Sequence, residues 1–316
     1  TSECKYLTFI PFSERYSGDV IRAKKFIYFL SKNNYIKVIS SDFKDSKKKE
    51  SKLNYQGFKE INFFIKIFNI FFSLLKLQPL QLGYFFSPKI KEYIKDNYQN
   101  YDLIFLQSFR VAQYVPEDNK KKCILDMGDL MSENYKQTSV RYFFFNPIRI
   151  IYFIESLLVK KYEDFCFNKF DKILLLSKKE INSVKKKYKK KLAQISFGIN
   201  KINKIYKFDK KNYKIIFIGN IKYAPNKNAC YEFASKILPS INEIYPHIEF
   251  HIIGEISKID KFLLNKKHNV KILSKVKKLE PYLDNVICGL ANLKISTGIQ
   301  TKLLTYMSYG IPSVCS

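Results

Sequence analysis

The chemistry this sequence can offer sits in a few short segments, none of which pairs a nucleophile with a base. Gly298-Ile299-Gln300 falls where a strand gives way to a helix, and Lys302 follows in the first turn of that helix. Exposed backbone N–H groups at a helix start, together with the positive end of the helix dipole, can cradle a diphosphate, and a lysine adds a full positive charge. A glycine turn with a solvent-exposed lysine is the plainer alternative. The segment Gly219 to Asn226 follows another strand. Its glycine permits close backbone approach, Lys222 can reach a phosphate or an acceptor, and Asn226 is placed to cap the next helix. Ser17-Gly18-Asp19 reads either as a turn and helix cap with Arg22 on the surface or as a loop beside a ligand. Asp126 and Asp129 close a strand, where either carboxylate can orient a hydroxyl; Asp129 equally suits a helix cap.

Other chemistries lack their signatures. Neither half has a Gly-x-Gly-x-x-Gly after its first strand, and there is no P-loop, so dinucleotide oxidoreductases and ATPases lose their usual support. The six cysteines are far apart and mostly in apolar runs, which reads as buried free thiols in a reducing compartment. His247, His251 and His268 share one segment without the spacing of a metal site or triad. The formal charge of +28 points toward polyanions. Only five of the 56 basic residues are arginine, however, and the lysines are spread along a chain rich in isoleucine, asparagine, phenylalanine and tyrosine, as biased codon use would produce. A solvated lysine surface and an anionic membrane surface are the readings that remain. Without an arginine cluster, an RNA-binding aromatic signature or zinc-finger spacing, no nucleic acid is expected. There is no signal peptide and no uninterrupted apolar run of about 18 residues, so a cytoplasmic protein is expected, at most peripheral on the inner face of the cell membrane.

These residues need elements to hold them. Short β-branched and aromatic runs alternate with longer helical patterns, the sequence form of a parallel sheet wrapped by helices. Strands are predicted near Tyr6–Phe12, Tyr35–Ser41, Asp102–Ser108, Cys123–Gly128, Asp171–Ser177 and Leu192–Gly198. After a lysine-rich stretch from Lys201 to Asn212 the alternation restarts, with strands at Lys214–Gly219, Ile248–Gly254, Val270–Val276, Ile287–Leu293 and Pro312–Ser316, and helices at Asn226–Tyr245 and Ile299–Tyr309 among them. We therefore expect an α/β chain of two Rossmann-like, doubly wound domains, 1–200 and 201–316, each binding ligands beyond the carboxyl ends of its strands. The second ends on a strand without the final helices of such a domain, so a C-terminal continuation is expected.

The order and spacing of several blocks carry a resemblance. They are Ser17-Gly18-Asp19-Val20-Ile21-Arg22; Gln78 to Phe85; Leu125 to Asp129; Phe217-Ile218-Gly219-Asn220-Ile221-Lys222-Tyr223-Ala224-Pro225-Asn226; Glu280-Pro281-Tyr282-Leu283; and Gly298-Ile299-Gln300-Thr301-Lys302-Leu303-Leu304, leading to Ser308-Tyr309-Gly310-Ile311-Pro312. The sequence resembles the GT4-like bacterial sugar transferases of exopolysaccharide and exosortase-associated loci over nearly its whole length. The resemblance implies a GT-B fold, with the two domains facing across a cleft, and an enzyme that moves a sugar from a nucleotide-sugar donor to a surface glycan or a polyprenyl-linked acceptor. It implies retention of configuration and neither metal nor cofactor. It places Gly18 and Asp19 toward donor phosphates and acceptor, Gly219, Lys222, Gly298, Ile299 and Gln300 on the donor, Lys302 on the departing diphosphate and Asp126 near the transferred sugar. One departure concerns the Glu-x7-Glu pattern of many such enzymes, whose second glutamate holds the ribose: Thr297 and Thr305 stand at those positions. A threonine offers one oxygen where a carboxylate accepts two hydroxyl hydrogen bonds, so ribose recognition at Thr305 is altered. An inactive GT-B scaffold in a glycan-assembly complex, and a GT-B sugar epimerase, stay open as alternatives.

One helix is unusual in itself. From Ile61 to Lys76 the polar residues Asn62, Lys66, Asn69, Ser73 and Lys76 recur at helical spacing and form one narrow stripe, with isoleucine, phenylalanine or leucine everywhere else. So wide an apolar face either packs into the core of the first domain or lies in a bilayer interface with lysines at its border. A second aromatic and basic segment runs from Arg141 to Tyr152.

Overall fold

The computed structural model describes residues 4–12, 18–42, 45–140, 142–143, 145–198, 209, 211–276, 278–294 and 300–316. The chain divides into two compact units, Thr1–Ser196 and Phe197–Ser316, each with its own sheet.

In the first unit the strands are β1 (Lys5–Phe12), β2 (Tyr35–Asp42), β3 (Ser46–Glu50), β4 (Leu53–Lys59), β5 (Leu103–Gln107), β6 (Lys122–Gly128), β7 (Lys172–Leu175) and β8 (Leu192–Gln194). They lie in the order β3-β4-β2-β1-β5-β6-β7-β8, parallel throughout except for the β3–β4 hairpin at one edge. A parallel strand covered on both faces must be apolar on both, and Leu7 and Phe9 of β1, Ile104 and Leu106 of β5 and Leu125 of β6 are fully buried or nearly so. That continuous apolar character made six of the eight strands predictable. The hairpin was missed because β3 is Ser-Lys-Lys-Lys-Glu, a charged sequence suited to an edge that must not pair further. The helices are α1 (Gly18–Ser31), α2 (Phe63–Leu75), α3 (Leu80–Phe85), α4 (Pro88–Asn97), α5 (Met131–Val140), α6 (Pro147–Lys169) and α7 (Lys178–Ser183).

The second unit holds β9 (Lys214–Ile218), β10 (Glu249–Ile253), β11 (Val270–Leu273), β12 (Val286–Ala291) and β13 (Ser313–Cys315), all parallel, in the order β11-β10-β9-β12-β13. The chain proceeds outward from β9 to β11 and then returns to place β12 on the other side of β9. The carboxyl ends of β9 and β12 therefore mark the switch point at which a doubly wound sheet receives a ligand. Helices α8 (Ala224–Glu232) and α9 (Leu238–Ile244) join through a π turn at Phe233–Ile237 into the single long helix expected there; α10 (Lys258–Asn265) and α11 (Thr301–Ser308) complete the unit.

Two expectations need correction. The cysteines form no disulfide, but only Cys123, Cys166 and Cys230 are buried; Cys4 and Cys288 are half-buried and Cys315 is exposed. In α2 the core-packing alternative is overturned, because the polar stripe faces inward. Lys66 and Ser73 are its buried residues, while Phe63, Phe64, Phe68 and Phe71 are exposed. Among the described residues no helix is long and apolar enough to cross a membrane, and no group of histidine, cysteine and carboxylate side chains could hold a metal ion.

Candidate functional site

At the carboxyl end of β9 the chain turns through Gly219 into a loop fastened to the end of β10. Gly219 N–H donates to the Ile253 carbonyl at 3.0 Å and Ile221 N–H to that of Glu255 at 2.7 Å. Gly254 has φ of 148°, and a Cβ there would lie 1.8 Å from the Gly219 carbonyl oxygen, so the two loops meet at a distance only glycine allows. A Cβ on Gly219 itself would approach Asn226 Nδ2 to 3.1 Å. Gly219 thus serves close packing within the loop.

Asn226 is not a helix cap. It is the third residue of α8, whose N-cap position is Tyr223, and it joins two other segments. Its Nδ2 donates to the Asn220 carbonyl at 2.8 Å, and its Oδ1 accepts from Lys302 Nζ at 2.7 Å. Lys302 is likewise not the exposed lysine of the plainer reading, since only 6% of it is accessible. Its Nζ sits 4.2 Å from the centroid of the Phe217 ring, and burial pushes its pKa down to about 8. One turn further, Tyr306 is fully buried; its hydroxyl accepts from Ile218 N–H at 2.9 Å and donates to the Leu290 carbonyl at 3.1 Å. A Cβ on Gly289 would lie 2.6 Å from that ring, so β12 needs glycine where Tyr306 crosses it. Lys302 and Tyr306, at i and i+4, form the inner face of α11 and hold it over β9 and β12.

The other donor-side candidates are more peripheral. Thr305 is only part-buried, and its Oγ1 donates back to the Thr301 carbonyl at 3.1 Å. Gln300 occupies the N-cap position of α11 without a side-chain cap bond to the helix. Lys222 is more than half exposed in the β9 loop, with its Nζ 3.8 Å from the Glu255 carboxylate. Gly298, Ile299 and Thr297 lie outside the described residues. The sequence reading missed Phe217, Asn220 and Tyr306; the i, i+4 spacing of Lys302 and Tyr306 was the available signal for the last.

In the first unit, Gly18 and Asp19 open α1, and the Asp19 side chain lies outside the described part. Arg22, on the surface in one of the two readings of this segment, is buried. Its Nε and a terminal nitrogen donate to the two carboxylate oxygens of Asp126 at 2.7 and 2.9 Å, and Gln107 Nε2 donates to the same carboxylate at 2.8 Å. Desolvation raises the Asp126 pKa, while Arg22 opposes the rise. A carboxylate held by Arg22 and Gln107 is occupied in fixing α1 to β5 and β6. Asp129, just past Gly128 with its φ of 73°, is the chemically freer acid: its buried Oδ1 has no hydrogen-bond partner, and burial followed by the nearby Glu180 carboxylate lifts its pKa to about 6. The first amides near α5 are taken by other acids, Leu130 N–H by Glu180 and Ser132 N–H by Glu163.

Residues 212–316 match the family described as Glycosyl transferases group 1. No curated protein matches the chain. Among solved structures, Anabaena HepE in complex with UDP and glucose is similar at a TM-score of 0.61 and 10% identity, over 99% of this chain and 80% of that one. An alpha,alpha-trehalose 6-phosphate synthase from Burkholderia multivorans gives a TM-score of 0.63 at 8% identity, over 100% and 83% of the two chains. A trehalose-6-phosphate structure from E. coli, bound with UDP-2-fluoro glucose, gives 0.61 at 10%, over 98% and 83%. These neighbours have the GT-B fold of two Rossmann-like domains, the fold class expected from the sequence. The chain thus has the GT-B fold class, and residues 212–316 of its second unit match the glycosyl transferases of group 1.

Proposed function

We propose that the protein transfers a sugar from a nucleotide-sugar donor to a surface glycan or a polyprenyl-linked acceptor at the inner face of a membrane, with retention of configuration and without a metal. The observation that carries this reading is Lys302. Its ammonium is buried at the switch point of a unit matching group 1 glycosyl transferases, and no carboxylate among the described residues pairs with it. The neighbouring segment 295–299 contains no acid in its sequence either. A buried cation held, among the described residues, by an amide oxygen and an aromatic ring is stabilised when an anion arrives, and most of all when negative charge grows on a departing diphosphate. The start of α11 adds backbone N–H groups and the helix dipole to the same end.

Positioning and leaving-group stabilisation would supply the rate in this mechanism, with no covalent nucleophile required. Lys222, exposed on the β9 loop, suits the outer phosphate or the acceptor. Among the first-unit acids, Asp129 has the uncommitted oxygen and suits orientation of a sugar hydroxyl, whereas Asp126 positions α1. HepE was crystallised with UDP and glucose, which makes uridine diphosphate sugars the first donors to try.

The test is calorimetric titration of the full chain with uridine, guanosine and cytidine diphosphates and their sugars, followed by turnover assays. We expect binding of at least one diphosphate, weakened on Lys302→Met. Absence of binding by the wild type would sink the proposal. Tight binding without transfer would favour an inactive scaffold, and donor epimerisation without acceptor would favour an epimerase.

A further inference from the structure

Helix α2 is built inside out. Its inward face is the polar one: Lys66 pairs with Glu60 and lies 4.7 Å from the Tyr84 ring centroid, and Ser73 is buried. Helix α3 runs against this face at backbone distance, since a Cβ on Gly83 would come within 2.3 Å of the Asn69 carbonyl oxygen. The phenylalanines point away. Phe64 is 77% exposed, and Phe68 and Phe72 pack on each other with ring centroids 4.6 Å apart. Exposure of this many large apolar side chains on one helix exceeds what a free surface normally carries.

The N-terminal half of α6 continues the pattern. Ile150, Phe153 and Leu157 recur on its outer side and are each at least half exposed, while Glu155 is buried and accepts from Leu80 N–H at 2.8 Å. Helix α3 thus touches α2 through Gly83 and α6 through Leu80, so the two apolar rows flank one short helix within a single unit.

We infer that α2 and the first half of α6 form a face that lies in the headgroup and acyl boundary of an anionic bilayer. Charge decides between a bilayer and a protein partner. Lys66 is neutralised by Glu60, but Lys76 at the end of α2 is exposed and Arg149 near the start of α6 is half-buried, no acid occurs within 61–80 or 140–154, and the chain as a whole carries +28. The outer face of α2 offers almost no hydrogen-bonding group that could orient a protein partner, whereas apolar side chains rimmed by cations fit the interface of an anionic membrane. The inference deepens the proposed use of a lipid-linked acceptor and rests on that reading for its purpose; the geometry of the face is independent of it.

The test is co-sedimentation of the full chain with vesicles of phosphatidylglycerol and phosphatidylcholine, against phosphatidylcholine alone, with calorimetric UDP titration in parallel. The wild type should sediment with the anionic vesicles and be released by salt. Phe64→Ser, Phe68→Ser and Phe71→Ser together should cut the bound fraction by about tenfold or more while leaving thermal unfolding unchanged. Lys76→Glu with Arg149→Glu should weaken binding to anionic vesicles with the rings intact. The inference is overturned if the wild type stays in the supernatant, if the serine variant binds as well, or if that variant unfolds, because the rings would then be core. A vesicle-free dimer that the serine variant dissociates would also overturn it, naming a second copy as the occupant. UDP binding without vesicle binding would remove this face and leave the transferase reading standing; vesicle binding without nucleotide binding would do the reverse.

Discussion

Arg22 in the first unit and Lys302 in the second are equally buried, each about 6% accessible, and they show how little burial alone says about the work of a cation. Arg22 meets a carboxylate in a two-pronged pair with Asp126. Lys302 meets one amide oxygen and one ring face. The first arrangement is electrically closed and holds a helix to a sheet. The second leaves a net charge in a desolvated place, which under the proposed function an anion would complete. The largest effect that would break this contrast lies in the first unit. Asp126→Ala should cost about 3–5 kcal/mol in urea unfolding, because it strips the guanidinium of this carboxylate, whereas Arg22→Met with Asp126→Leu should cost far less. Equal losses in the single and double variants would show that the pair is more than a structural tie.

Lys302→Met is the counterpart in the second unit. Binding of a nucleoside diphosphate should weaken by about 1.5–3 kcal/mol, the usual worth of a hydrogen bond to a charged group. Stability adds an independent readout. A lysine whose pKa is about 8 in the folded chain and 10.5 outside it opposes folding while protonated, and the penalty fades as pH rises from 8 to 10.5. Relative to the methionine variant, the wild type should therefore gain about 1–3 kcal/mol across that window. A flat difference would mean that Lys302 is better solvated than its surroundings indicate.

Much of the fold was legible because parallel strands buried on both faces are written as apolar runs, from Leu7 and Phe9 to Phe250 and Ile252. The site was legible only as segments. Gly219 and Lys302 could be singled out, yet a lysine in the first turn of a helix reads as exposed, and only the packing of Tyr306 across Gly289 turns it inward. The place of Arg22 stayed open for the same reason, since its partner stands 104 residues away. In α2 the stripe itself was evident from spacing. Periodicity defines two faces, however, and does not say which of them the protein covers.

The contrast between the units also makes a statement about Asp129, an acid beside a cation that Asp126 already neutralises. Its pKa, lifted to about 6 by burial and by Glu180, exceeds the ordinary value of 3.8, so the fold favours the protonated form. That stability is present below pH 4 and is lost as pH rises through about 6. Asp129→Asn should therefore gain about 1–2 kcal/mol on the wild type between pH 4 and pH 7 in parallel unfolding titrations. If the two profiles coincide, the acid has a partner when the protein is in solution.

The smallest effect concerns Thr305, three residues beyond Lys302 on α11 and turned away from its inner face. Its hydroxyl is satisfied by the Thr301 carbonyl, so the fold does not depend on it, and a longer side chain has room to leave the helix. If the lysine and the start of α11 are the anchors for a diphosphate, Thr305→Glu should restore a two-pronged hold on ribose hydroxyls and tighten a nucleoside diphosphate by roughly tenfold, the equivalent of about 1.4 kcal/mol. If the pocket is built around threonine for another donor, the acid should clash and weaken binding. A third outcome bears on the contrast itself. Residues at i and i+3 are neighbours on a helix, so the new carboxylate could reach Lys302 and supply the partner that Arg22 already has. The gain in wild-type stability between pH 8 and 10.5 would then shrink in the Thr305→Glu background, and nucleotide affinity would fall together with it. Titration with uridine, guanosine and cytidine diphosphates, repeated at pH 7 and pH 9.5, separates these outcomes; affinities identical to wild type throughout would place Thr305 outside the nucleotide site and leave Lys302 as the charged anchor on this helix.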